Sequence, residues 1–247
     1  MRAWPVLLLL GLAGSQPSKL LVPDETAGLD RIVQTLVSAF DHVDIVALGE
    51  NHWNKMDSDL RIALVRSTEF AKKARFIVVE FASTRQQATL DRYIRGDDVL
   101  PAAAQVRVLA GDPPSGSGLG RDNSAFSILQ EQVLKTHGKA LLIYGAGHLL
   151  RAVPDPIPRI TKMLDNSYPG STFVVTTEGG PHPEYQEFER ALKTPARPVL
   201  VSLGKPPFRD LLVRAFPGLG LTRGQIADAC VYFGIGPEVE VRVSPDR

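Results

Sequence analysis

A series of short apolar runs without strict alternation constrains this chain more than any other feature: Asp44 to Leu48, Phe76 to Val79, Val106 to Leu109, Ala140 to Tyr144, Phe173 to Thr176 and Val199 to Leu203. A strand with one face in water alternates apolar and polar residues, whereas a run that is apolar throughout must have both faces covered. Between these runs, apolar residues recur at helical spacing. Examples are Ile32, Leu36 and Phe40; Leu60, Ala63, Leu64 and Phe70; Ala88 to Ile94; and Phe126, Leu129 and Val133. Strands of this kind separated by helices predict an α/β fold, a central and mostly parallel sheet flanked by helices on both faces. The end of the chain differs. Val231 to Phe233 and Val239 to Val243 flank Gly234-Ile235-Gly236-Pro237, which reads as a C-terminal hairpin giving the sheet an antiparallel edge. Proline removes the donors that helices and ladders need, so Pro154 to Pro158 and Pro195 to Pro207 read as loops. Neither is long enough to separate domains, and residues 16–247 are expected to form one.

Residues 1–15 have a different character. Arg2 gives a positive start, Val6 to Ala13 is apolar apart from Gly11, and Ala13-Gly14-Ser15 supplies small residues for cleavage. The run is too short to span a bilayer, so a signal peptide and export to the periplasm or beyond are expected. No cysteine comes after it that could carry a lipid, so no membrane anchor is expected after cleavage. The net charge of +1, from 28 basic and 27 acidic residues without a like-charge block, offers no electrostatic footprint for nucleic acid. Cys230 is the single cysteine, which excludes an internal disulfide and a thiolate metal cage. Its place in the apolar run Ala229 to Phe233 predicts a buried, inert thiol.

Polar residues cluster at the carboxyl ends of these strands. The first ends in Gly49-Glu50-Asn51-His52, the next in Glu80, the third in Gly111-Asp112 and the fourth in Gly145-Ala146-Gly147-His148. Ligands of open parallel sheets bind at that carboxyl edge, where the loops converge. Glu80 directly succeeds an apolar run and is expected to be half-buried, where an acid needs a partner or takes up a proton. Taken singly, Glu50 could cap the helix beginning near Asp57, and either histidine could be structural. Together they fit two chemistries. A histidine oriented by a glutamate could act as general base on water, with a cation facing the developing negative charge. Alternatively, Glu50, His52, Glu80 and His148 could hold a divalent metal.

Other motifs carry less. Gly116-Ser117-Gly118-Leu119-Gly120 lacks the lysine of a phosphate loop and reads as an active-site loop. After Gly145-Ala146-Gly147, Leu150 stands where a dinucleotide fingerprint needs its third glycine. His182 lies in a Gly/Pro loop, His42 and His137 lie near helix ends, and no Gly-x-Ser-x-Gly elbow occurs.

The stretch LGENH, the strand ending in Val78-Val79-Glu80, the segment Gly111-Asp112-Pro113, the pair Arg121-Asp122 and the stretch IYGAGHL resemble the erythromycin esterase / ChaN / TIKI superfamily. The closing Asp228-Ala229-Cys230-Val231-Tyr232 is similar to that group's last core strand. The resemblance implies a mostly parallel α/β sheet with a shared Glu/His site. Its members differ in use: the esterases hydrolyse a macrolide lactone with a histidine as proposed base, TIKI proteins are metal-dependent proteases, and ChaN-like proteins bind haem. By position, Glu50, His52, Glu80 and His148 match the shared site, and Arg121 with Asp122 matches an Arg-Asp pair of the esterase branch. The Glu50-x-His52 spacing is closer to the ChaN and TIKI side. The resemblance supports two readings. One is an exported hydrolase of esters, lactones or amides that uses Glu50, His52, Glu80, His148 and Arg121, with Asn51, Asp112 and Asp122 meeting a small-molecule or peptide substrate. The other is a haem- or divalent-metal-binding protein without catalysis, for which Tyr144 is a conceivable axial ligand.

Overall fold

The computed structural model describes residues 22–52, 54–94, 106–154, 158–213, 218–237 and 239. The leader-like residues 1–15 lie outside them. The apolar runs become strands β1 (Glu25–Ala27), β2 (Ile45–Glu50), β3 (Phe76–Ser83), β4 (Arg107–Asp112), β5 (Ala140–Gly145), β6 (Thr172–Glu178), β7 (Val199–Ser202) and β8 (Ala229–Tyr232). They form one sheet in the order β1-β7-β8-β6-β2-β5-β3-β4. Strands β8, β6, β2, β5, β3 and β4 run parallel to their neighbours in that order.

Successive side chains of a strand point to opposite faces, and this divides β2 between two cores. Ile45 and Ala47 enter one core, Val46 and Leu48 the other. Helices α1 (Leu29–Ala39), α2 (Lys55–Arg66) and α3 (Thr68–Lys73) cover the second core with Ile32, Leu36, Leu60, Leu64 and Phe70. Helices α5 (Arg121–Ile128), α6 (Ile160–Ser167), α7 (Tyr185–Ala191) and α8 (Arg223–Ile226) cover the first with Ala125, Leu164, Phe188 and Ile226. Continuous apolar strands are therefore explained by helices on both faces.

Helix α4 (Gln87–Ile94) packs beside the edge strand β4. The Gln87 amide donates to Val108 O at 2.7 Å and accepts from Ala110 N at 2.8 Å, standing in for a strand partner along that edge.

Local departures from the sequence reading have local causes. The pattern Leu60 to Phe70 is two helices, because Ser67 is extended (φ −64°, ψ 123°) and closes α2 before α3 begins. Asn54, not Glu50, caps α2: its side chain accepts from Met56 N and Asp57 N. The run after α5 continues as a π turn over Leu129–Val133 and a 3-10 turn, and His137 ends it in the left-handed conformation at φ 54°. The antiparallel edge is present, yet it is built by β7 pairing with β8 and β1. β8 lies between β6 and β7, so a hairpin partner finds neither of its sides open. Apart from Val239, whose carbonyl accepts from Lys55 N, most of the expected second arm lies outside the described residues.

Two registers position the site. Glu50 is paired with Gly145 across β2 and β5, which brings the ends of those strands level. On β3, regular pairing with β4 stops at Val79 and resumes at Ser83 opposite Asp112. The shift between them is a bulge, a device that re-aims side chains at a strand end, and Glu80 sits within it.

Candidate functional site

Glu80 is the centre of the arrangement. Burial leaves it 8% exposed, deeper than the half-buried place expected of it. Its Oε2 accepts from the Gly145 backbone N–H at 2.7 Å and its Oε1 from the Arg121 guanidinium at 2.9 Å. A carboxylate taken from water needs such partners to offset its lost hydration. Both imidazoles also face it: His52 Nε2 lies 3.8 Å from Oε2, and His148 Nε2 lies 3.5 Å from Oε1.

Each histidine has its own carboxylate behind it. Glu50 Oε1 is 3.0 Å from His52 Nδ1, and Arg61 of α2 pairs with the other oxygen of Glu50. Asp122 bonds His148 Nδ1 and lies within 3.9 Å of Arg159. That hydrogen bond raises the His148 pKa above its ordinary value, against the burial that lowers it, and the charges of Asp122 and Glu80 add to the rise. Burial lowers the pKa of Arg61. Arg121 reaches Asp112 at 3.6 Å as well as Glu80, and it is largely open to solvent, as is His52. Burial raises the Asp112 pKa although Arg121 pulls it down.

Gly145 explains why glycine ends β5. A Cβ built there would lie 3.1 Å from His52 Nε2 and 3.2 Å from Glu80 Oε2, inside the space that these groups share. Glu50, His52 and Glu80 each offer a ligand atom within 4.8 Å of the others, so these three could hold a cation; His148 is not part of that group.

All the expected site residues except Asn51 thus belong to one connected network. Asp122, expected at the substrate, is buried behind His148. Asn51 turns away: its amide donates to Thr177 O at 3.1 Å and its backbone N–H to Asp57 Oδ2 at 3.3 Å. Tyr144 is fully buried, with its ring edge-on to His148 at 5.8 Å. A side chain at Gly111 would collide with its hydroxyl. Burial therefore accounts for Tyr144, and axial ligation does not. His182 lies edge-on to Tyr185 at 5.9 Å, away from the network. Arg61 and Arg159 were invisible to sequence reading, since neither stands at the end of a strand. The one available signal for Arg61 was its place four residues after Asp57 on a helix that starts beside the site.

No protein-family model matches the chain, and no curated protein matches it. Among solved structures, the chain is similar to a Bacillus cereus protein with a TM-score of 0.57 and 12% identity, covering 88% of this chain and 94% of that one. Likeness at that identity shows a shared fold. The chain is also similar to RRSP, a MARTX toxin effector domain from Vibrio vulnificus (TM-score 0.39, 20% identity, 56% of this chain and 34% of that one). A third is ChaN of Campylobacter jejuni, described with cofacial haem binding (TM-score 0.37, 12% identity, 59% and 85% covered). The chain spans about a third of the length of the Vibrio chain it matches. These last two likenesses are distant, and the site rests on its own geometry.

Proposed function

We propose that the protein is a hydrolase of esters, lactones or amides, with water activated at the site centred on Glu80. The observation that carries this reading is a convergence: two imidazoles, each oriented by its own carboxylate, approach opposite oxygens of one buried glutamate. His52, the more exposed, takes a proton from water through Nε2 while Glu50 holds its Nδ1. The water oxygen attacks the carbonyl carbon. Arg121, at the open side of Glu80, faces the oxygen that becomes negative. His148, which Asp122 favours in its protonated form, gives a proton to the leaving oxygen or nitrogen as the bond to carbon breaks. Membership of the erythromycin esterase / ChaN / TIKI superfamily fits this chemistry, and it enters here as part of the proposal. So does export, which rests on residues 1–15 and is checked by the mass of the mature N-terminus in secreted fractions.

A second reading, divalent-metal binding, is favoured by the proximity of Glu50, His52 and Glu80. A cation held there would polarise a carbonyl or lower the pKa of water. The residues fit it in donor type, but Arg61 and Arg121 already answer the charge of the two glutamates. Hydrolysis of activated esters and amides by the purified protein, beside His52→Ala and His148→Ala and with or without chelator, tests both readings. We expect turnover that survives chelation and is lost in each variant. Equal turnover in all three proteins removes the histidines from the chemistry, and loss on chelation with recovery on adding metal favours the second reading.

A further inference from the structure

Beside the Glu80 network lies a cavity of about 240 Å3 that none of the chemistry above uses. Its wall on the network side is Asn51, Ala146 and Gly147, the residues interleaved with Glu50, His52, Gly145 and His148. The opposite side comes from the end of β6 and from α7 and α8, including Glu178, Glu184, Tyr185 and Arg223. The cavity and the network thus draw on the same two loops, those after β2 and β5.

The lining has two chemical halves. Leu150, Val213 and Ile226 give it an apolar flank suited to a short alkyl stem. The charged half carries one cation and two anions. Arg223 is 4% exposed, paired with Glu178, and has the ring of Phe188 at 5.0 Å and that of Tyr185 at 5.9 Å. Its charge is answered by Glu178 and its faces are covered by rings, while its Nε and Nη1 make no hydrogen bond, so a ligand carboxylate there would compete with Glu178 for its charge. Glu184 is half-buried, and among the described residues lining the cavity it has no such cation of its own. A charge in such a concave, partly apolar setting attracts an opposite charge more strongly than in open water.

We infer that this cavity binds a positively charged group of the substrate, an ammonium or guanidinium at the end of an alkyl stem, with Glu184 as its counter-ion. The inference rests on the hydrolase reading for its place in catalysis, but binding can be measured without turnover. n-Hexylamine, n-hexanol and hexanoate share one stem and differ in charge. Titrated against the full-length His148→Ala protein by ligand-observed NMR, hexylamine should bind about tenfold more tightly than hexanol, and hexanoate more weakly than either. Glu184→Gln should bring hexylamine to the level of hexanol, with hexanol unchanged as the sign that the cavity is intact. Equal binding of amine and alcohol, preference for hexanoate, or an amine preference that survives Glu184→Gln overturns the inference. A parallel comparison of lysyl and norleucyl p-nitrophenyl esters on the active protein separates the two ideas. Turnover without a lysyl preference sinks the pocket alone, whereas an amine preference without turnover sinks the hydrolase reading alone.

Discussion

Among the acidic residues near the carboxyl ends of these strands, Glu178 and Glu80 have been put to opposite use by their surroundings. Glu178, at the end of β6, is matched by a single guanidinium, that of Arg223, which lies under two aromatic rings. Glu80, in the bulge of β3, is shared among a backbone amide, an exposed arginine and two imidazoles. The first arrangement is a single ion pair in a cavity wall. The second has several donors around two oxygens, two of them imidazoles. A buried acid becomes chemically useful when its partners can titrate and solvent can reach them; a buried acid with one permanent cation holds structure together.

That contrast can be broken experimentally. The largest effect is expected from His52→Ala and His148→Ala, each lowering kcat/KM by ~10²–10⁴. Thermal melts should show at most small losses of stability, since neither ring is in the core. Arg223→Ala should do the reverse. It leaves the largely sheltered Glu178 without its cation, at a cost of ~3–5 kcal/mol seen in denaturant titration. If Arg223→Ala leaves stability untouched, the division into a chemical and a structural acid fails. Gly145→Ala should fold normally, because the methyl meets side-chain tips and not backbone. It should still lower kcat by up to ~10²-fold through displacement of His52 and Glu80. The smallest effect is one of pH. Asp122 raises the folded-state pKa of His148 above its ordinary 6.5. The stabilisation from that pair is thus complete below 6.5 and is lost as pH rises through the folded value. The melting temperature of wild type should fall slightly over that window, and that of Asp122→Asn should not. Activity dependent on protonated His148 should decline over the same range.

Much of this was legible in the sequence, and for a physical reason. Residues just past buried parallel strands have their positions fixed by the sheet, so Glu50, His52, Glu80 and His148 could be placed at one edge from their strands alone. The same logic reached Asp112, whereas Arg121, which opens α5, was reached only through the resemblance to the esterase branch. It failed for groups brought in by helices. Arg61, Arg159 and Arg223 find their acids through tertiary packing, which leaves no mark at short range. It also misjudged direction. Asn51 and Asp122 sit at the right strand and helix ends, but one hydrogen-bonds β6 and the other lies behind His148. Hairpin signals after β8 were outweighed because β6 and β7 had already taken both of its sides.

The irregularity on β3 between Val79 and Ser83 also sets how easily such a sheet edge could change its trade. Within it, Glu80 is sheltered while its neighbour Phe81 is 76% exposed. Removing or adding one amino acid there would exchange their seats, putting a benzyl group where the carboxylate stands and a negative charge in the solvent. Every hydrogen bond that now converges on that carboxylate would lose its acceptor in one evolutionary step, with the rest of the scaffold unaltered. The versatility of an edge like this lies less in which amino acids it contains than in the count of peptide units before the ladder resumes.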